Sequence, residues 1–386
     1  MAHGADLPFG LASAVGPVPF ADATDAARFV RRTQRRFPTV PVLLGPMSSL
    51  LAQAVDGVSG VAVDPDDPGR LIATGPLAAP GDAAHGASAL EGAAFQAVRV
   101  FCSSYGESGS ASESESATMA VPAHDEHLSG RRAAALPSGT VAPGGATVHP
   151  VGVRIPVLGP VTLAFALRAA GHDAAEADLV ASSVVAARSV ALARFVRAQL
   201  GAAGDPVVAV VLSEPGLVGS MHPTFRLLPS AVRSLLDPVV DALDGAATPD
   251  SLLIGVEVPG SCDWPTVIGC GASLLCVPVD RSISGWAPQL GDLLDRGGRI
   301  CWGAVRVDRP MGASSELHWR ALVALWTSLV VEGVDPMALR LRSAFSPAGG
   351  LDAFDPMQAE VIMEITAGVA ERVGRQALAA RLSLGA

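Results

Sequence analysis

Residues 151–215 read VGVRIPVLGP VTLAFALRAA GHDAAEADLV ASSVVAARSV ALARFVRAQL GAAGDPVVAV VLSEP, and how this stretch is read decides the fold. Two short β-branched runs, 151–158 and 207–212, flank helical sequence over 161–169 and 174–200. Both runs are apolar almost throughout, as in strands covered on both faces of a parallel sheet. The helical stretch between them is long enough to cross back and start the next strand in the same direction. The stretch is a βαβ unit.

The alternation continues outward from it. Downstream, strands are expected at 252–258, 274–279, 300–305 and 339–343, with helices at 228–243, 264–268, 285–296, 316–332 and 356–382. Upstream, strands are expected at 8–15, 40–44 and 61–63, and helices at 22–36 and 48–55. The count approaches eight β units. The expected fold is therefore α/β, a (β/α)8 TIM barrel with an N-terminal extension, forming one domain over 1–386. A doubly wound α/β domain is the alternative, but no Gly-x-Gly-x-x-Gly follows a strand, which removes the commonest dinucleotide signature.

One segment breaks the pattern. Residues 102–149 read CSSYGESGSASESESATMAVPAHDEHLSGRRAAALPSGTVAPGGATVH, a Ser/Glu alternation followed by Pro/Gly-rich sequence. Such composition buries too little apolar surface to offset its ordering entropy, so it is expected to be a flexible insertion, with a lid over a site as the functional alternative. His124 and His127 have metal-like spacing, yet in so polar a loop they read as solvated residues.

Composition excludes several chemistries. The 386 residues include 27 Lys+Arg against 37 Asp+Glu, a net charge of −10, and contain no lysine and no asparagine. Without lysine there is no P-loop lysine and no internal amine for a Schiff base. The acidic balance argues against a nucleic-acid partner. Arg28, Arg31, Arg32, Arg35 and Arg36 sit at helical spacing and read as a solvated face. The positive mean hydropathy comes mostly from Ala and Val, and with no run of 18 apolar residues no spanning helix is expected. No signal peptide is visible at the start, and five cysteines without a Cys-x-x-Cys pair suit free thiols. A cytoplasmic location follows as the expectation.

In a barrel, functional groups belong at the C-terminal ends of the strands. Reading those ends gives Glu214, Glu257, Asp280 and Asp308 as candidate acid–base groups. Arg154, Ser213, His222, Cys262, Asp263, Trp264 and Arg306 are the candidate substrate-binding residues. For any one carboxylate a strand-end salt bridge is the plain alternative. His222 is the one histidine near such an end that would titrate close to neutrality, though a loop histidine without a role fits equally well. Ser213 lacks a Gly-x-Ser-x-Gly elbow, which weighs against a nucleophile.

Several of these landmarks together resemble the superfamily of cobalamin-independent methionine synthase catalytic domains and uroporphyrinogen decarboxylases. The similarity is greatest to short, actinobacterial-type, methionine-synthase-like members. It rests on Gly10-Leu11-Ala12-Ser13 with Pro17, Pro19 and Phe20, on Gly159-Pro160-Val161-Thr162-Leu163-Ala164, and on Ser213-Glu214-Pro215-Gly216-Leu217. It continues through Gly255-Val256-Glu257, Cys262-Asp263-Trp264, the run from Arg296 to Gly303 (RGGRICWG) and the run from Phe345 to Leu351 (FSPAGGL). The resemblance implies a TIM barrel and, for its methyl-transfer members, a zinc-activated thiol held by His-x-Cys, a Glu and a later Cys. Here His-x-Cys falls on Glu257-Val258-Pro259, the Glu falls at or beside Pro278, and the later Cys is Gly349. The acidic residue that opens the family's Asp-Glu-Pro strand end is Ser213. Proline and glycine side chains offer no donor atoms, so the zinc site is expected to be degenerate and no cofactor is assigned. A rebuilt set of Glu257, Cys262, Cys276 and Asp280 is the weaker alternative. The decarboxylase branch instead uses arginines and a carboxylate, a part that Arg154, Arg306 and Asp308 could take, although that branch's N-terminal arginine-rich fingerprint is missing.

The leading functional expectation is a metal-free group-transfer or lyase-type enzyme acting on a small polar or anionic substrate. A non-catalytic binding scaffold and a methyltransferase with a displaced metal site are the alternatives. The expected partner is a small molecule, with neither nucleic acid nor membrane; the oligomeric state, a homodimer included, is left open.

Overall fold

The β-branched runs form the strands, and their strict alternation places two separate cores on the two faces of one sheet. The computed structural model of the chain describes residues 7–45, 47–78, 90–106, 149–201, 204–246, 251–308 and 314–383. Seven parallel strands make the main sheet: β1 (Leu11–Ala12), β4 (Gly152–Leu158), β5 (Val207–Ser213), β6 (Leu252–Glu257), β7 (Leu274–Pro278), β8 (Arg299–Val305) and β9 (Ser343–Pro347). Their order is β1-β9-β8-β7-β6-β5-β4. β2 (Val61–Val63) and β3 (Leu71–Ala73) form a separate antiparallel ribbon, so the expected strand 61–63 exists but lies outside the main sheet.

The helices are α1 (Ala23–Thr33), α2 (Leu50–Val55), α3 (Gln96–Gly106), α4 (Pro160–Ala169), α5 (Ala174–Leu200), α6 (Pro229–Ala246), α7 (Trp264–Gly269), α8 (Ala287–Asp295), α9 (Glu316–Val331), α10 (Pro336–Leu341) and α11 (Pro356–Ser383). On β5, Val208, Val210 and Leu212 face the helices, whereas Ala209 and Val211 face the other way. The same alternation separates Ile254 from Leu253, Leu275 from Leu274, Ile300 from Cys301 and Phe345 from Ala344. The inner set closes on itself together with Leu7, Leu11 and Phe37, which requires a curled sheet.

The curl is not a closed eight-strand barrel, a correction to the expectation. Between β4 and β1 runs the segment 38–44, where the eighth strand was expected. It makes two bonds to β4 (Arg154 N–H to Pro38 O, 2.9 Å; Val40 N–H to Arg154 O, 2.8 Å) and two to the chain after β1 (Val18 N–H to Val42 O and Leu44 N–H to Phe20 O, both 2.9 Å). Only single bridges, Thr39 with Arg154 and Pro17 with Val42, link these segments. Pro38 and Pro41 on one side, and Pro17 and Pro19 on the other, lack the N–H donors that a continuous ladder needs. Prolines leave the seam stitched rather than zipped.

Three further expectations change. The last strand is Ser343–Pro347 and not 339–343, because Asp335 caps Met337 and Ala338 and Pro336 occupies the first turn, which starts helix α10. The insertion begins later than residue 102, since Cys102 is buried in α3, which continues to Gly106; residues 107–148, with His124 and His127, lie outside the described residues. Among the described residues one helix, α5, is long and apolar enough by length and composition to cross a membrane. Most of its apolar surface is buried in the outer core, where it packs on α4 and α6.

Leu253 tests the inner core directly, being fully buried on the concave face. Leu253→Ala is expected to lower stability by about 2–5 kcal/mol in urea unfolding, the range for a packed core leucine. An open sheet with that face in water would lose less than about 1 kcal/mol.

Candidate functional site

Three strand ends meet at one cleft of about 310 Å³. β6 supplies Pro259, Gly260 and Ser261, β7 supplies Pro278, Val279 and Asp280, and β8 supplies Gly303, Arg306, Val307 and Asp308. Trp264, Ile283 and Ala348 complete an apolar wall. Arg306 and Asp308 form a bidentate pair (Nε to Oδ1 3.0 Å, Nη2 to Oδ2 2.6 Å), each about half exposed. Asp280 accepts from the Ser282 N–H at 2.8 Å; Ser282 and then the Arg306 charge hold its carboxyl below the usual range. The Asp308 carboxylate raises the pKa of Arg306 in turn. Among the described residues, one cation and two carboxylates therefore face a small, partly apolar cleft.

Four of the eleven sequence-selected residues line this cleft: Asp280, Asp308, Arg306 and Trp264. Two others lie near its walls. Asp263 caps α7 through Thr266 (N–H 3.3 Å, Oγ1 2.6 Å), and Cys262 is buried in the outer core. Cys262 and the inward Cys276 face opposite cores, so the rebuilt ligand set does not converge. His222 is exposed and bonds Thr224 Oγ1 at 2.7 Å, away from the cleft. Ser213 offers its backbone carbonyl to the Gly159 N–H at 2.8 Å.

Glu214 has a structural task. Its carboxylate is fully buried and accepts from the N–H of Val161 (2.9 Å), the N–H of Thr162 (2.8 Å) and the hydroxyl of Thr162 (2.6 Å). The same hydroxyl accepts from the Gly216 N–H at 3.0 Å. A side chain from the end of β5 thus caps the first turn of α4, where the helix dipole favours an anion. Gly159 has to be glycine here, since a Cβ would sit 2.1 Å from the Glu214 carboxyl carbon. The motifs at 159–164 and 213–217 are one clasp.

Glu257 and Arg154 are also committed, to each other. They form a buried ion pair inside the curl, with Nη2 to Oε2 at 2.5 Å. Burial pushes the Glu257 carboxyl up, against the pull of Arg154. Burial presses the Arg154 guanidinium down, but Cys276, Glu257 and Cys301 outweigh it and keep it charged. Cys301 Sγ lies 3.7 Å from Arg154 Nη1. Sequence reasoning had missed Cys301 as a partner, although a signal existed. Cys276 and Cys301 each stand third in consecutive strands.

The arginine-rich run proves to be structured. Arg28, Arg31, Arg32 and Arg35 line a groove between α1 and α3 with Arg99, but Arg36 does not. Arg28 pairs with Asp25, Arg32 with Glu360, and Arg31 donates to the Ser104 carbonyl while lying over the Tyr105 ring. Compared with known proteins, the chain matches no protein-family model and no curated protein sequence.

The clasp carries a pH signature. Burial raises the Glu214 pKa from 4.5 to about 7 against the pull of its three donors. Between those values the folded chain holds a proton that the unfolded chain has lost, so stability is expected to fall as pH rises from about 4.5 to 7, by at most roughly 3 kcal/mol. Glu214→Gln should flatten that slope in urea titrations across the window. At pH 7 it should also cost about 1–3 kcal/mol, because an amide N–H would face the helix donors.

Proposed function

We propose that the chain is a (β/α)8-barrel derivative that binds a small, polar, anion-bearing molecule in the cleft over β6, β7 and β8 and acts on it in a group-transfer or lyase-type reaction. The observation that carries this reading is the convergence of Arg306, Asp308 and Asp280 on one cleft at strand C-terminal ends, against a wall of Trp264, Val279 and Ile283. Barrel enzymes build their sites at that end of the sheet. A few convergent polar groups in a partly apolar cleft are the ordinary makeup of a small-molecule site. Arg306 would turn its guanidinium from Asp308 to a carboxylate or phosphate of the ligand. Asp308 and Asp280 would then be placed to accept or return a proton.

The proposed kinship is with the cobalamin-independent methionine synthase and uroporphyrinogen decarboxylase superfamily, and the clasp supports it by joining two of the motifs behind the resemblance into one unit. That superfamily's zinc does not fit these residues. Pro259, Pro278 and Gly349 offer no side-chain donor, and Glu257 is held by the Arg154 cation, which repels a dication. Among the described residues no group of three or more His, Cys, Asp or Glu is arranged to hold a metal ion. A methyltransferase with a displaced metal site is therefore the weaker reading. A decarboxylase-like pair of arginines is also weakened, because Arg154 is buried and, among the described residues, Arg306 is the one arginine that lines the cleft.

A binding scaffold without chemistry is the second reading. It is favoured by the structural commitment of Glu214 and Glu257, which leaves Asp280 and Asp308 as the carboxylates in the cleft among the described residues. A thermal-shift screen of thiols, folates and tri- or tetracarboxylates separates the two. On the leading reading an anionic compound raises Tm and is turned over. Arg306→Ala then weakens its binding by roughly ten- to a hundredfold, as expected for a lost charge-assisted hydrogen bond. Binding without turnover supports the scaffold, and no response from any anion removes the cleft as the site.

A further inference from the structure

A group of reactive side chains lies one layer below the cleft, on the inward face of the sheet. Cys276 of β7 and Cys301 of β8 are partners in register on adjacent parallel strands. That register sets their Cα atoms about 4.8 Å apart, within the span a disulfide bridges. Both point into the curl, where side chains of neighbouring strands converge. The two thiols perturb each other, the proton resting on Cys276 rather than on Cys301.

The surroundings distinguish the two sulfurs from one another and from every other cysteine. Cys301 accepts from the Arg154 guanidinium at 3.7 Å, a contact no other cysteine has among the described residues. Its pKa falls below the ordinary thiol value, chiefly through the Cys276 thiol, while that of Cys276 rises. Cys102, Cys262 and Cys270 sit singly in the outer core, and burial pushes each of them up. A thiolate beside a cation is the reactive form of cysteine, and a thiol in an apolar core is inert.

The cleft lies directly above the pair, both members of which are buried. Pro278 and Gly303 stand two residues beyond Cys276 and Cys301 on the same faces of their strands, and both line it. The sulfurs are thus about 7 Å beneath its floor. At Gly303 that floor is closed by Ala348, whose Cα would lie 3.0 Å from a Cβ there.

We infer that Cys276 and Cys301 are a redox-active dithiol that a hydroperoxide oxidises to a disulfide inside the curl. The Cys301 thiolate attacks one peroxide oxygen, the O–O bond breaks, and a sulfenic acid forms as hydroxide leaves. The proton that Cys301 gave up on ionising neutralises the hydroxide. The Cys276 sulfur then attacks the Cys301 sulfur, the S–O bond breaks, and the oxygen departs as water with the Cys276 proton. Two thiols and one hydrogen peroxide become one disulfide and two waters, with the sulfurs oxidised and the peroxide oxygens reduced. Arg154 holds the sulfenic oxygen in place between the steps. This site does not depend on what the cleft binds.

The test is native, full-length protein treated with hydrogen peroxide, then denatured, alkylated and mapped by digestion and fragment mass spectrometry. A Cys276–Cys301 link that forms roughly tenfold or more faster than any change at Cys102, Cys262 or Cys270, and that dithiothreitol reverses, is the expected result. In Cys276→Ser, which keeps a hydroxyl donor beside Cys301, the link cannot form, and Cys301 should instead advance to the sulfinic acid, a gain that needs only the wild-type circular-dichroism spectrum as a folding control. Full alkylation of Cys276 and Cys301 at a peroxide dose that oxidises another cysteine overturns the inference. So does a link that forms only after unfolding, or Cys301 over-oxidised in the wild type with no link.

Discussion

The ion pair between Arg154 and Glu257 sets the terms for the interior. A guanidinium and a carboxylate have been taken out of water inside the curl, where each alone would cost several kcal/mol. Their contact ties β4 to β6 across β5, with the two inward thiols beside them. The Arg154 Nε–H has no partner, so the guanidinium is not fully satisfied even there. Removing either partner alone would leave the other charge buried and uncompensated, so the two stand or fall together. The pair fixes which side chains neighbouring strands present at that level, and so what lies under the cleft.

Glu214 makes the complementary point at the sheet's rim. A carboxylate at a strand's C-terminal end invites a chemical role, yet every one of its bonds goes to the start of α4 or to the hydroxyl beside it. Its value lies in position: it sets the helix entry relative to β5 and forbids a side chain at residue 159. What is left for chemistry is the less protected trio of Asp280, Arg306 and Asp308, held by short-range contacts within two adjoining loops.

Much of the architecture was legible because apolar alternation is local. The runs at 151–158, 207–212, 252–258, 274–279 and 300–305 are strands within a residue or two, since sheet faces impose a period of two on the residues themselves. The strand ends also named Asp280, Arg306 and Asp308, the charged residues that line the cleft among the described residues. Contacts far apart in sequence were not legible. Glu214 reaches its helix across 53 residues, and Arg154 reaches Glu257 across 103. No spacing rule tells a committed carboxylate from an available one at such distances. Two misplacements did have local signals. Asp335-Pro336 announces a helix start ahead of β9, and four prolines announce that 17–20 and 38–44 cannot build a ladder.

That seam bears on how the chain reaches its final form. The strands from β4 to β9 pair with sequence neighbours, so they can assemble progressively as one growing sheet. Leu11, by contrast, must find Ala344 from the far end of the chain, and a pairing so remote carries a large loop-closure entropy. Docking of the amino-terminal edge is thereby placed late, after the body of the sheet has become its template. The last part to arrive is also held by a two-residue strand and by single bridges, which makes this edge the natural point from which the native state begins to open.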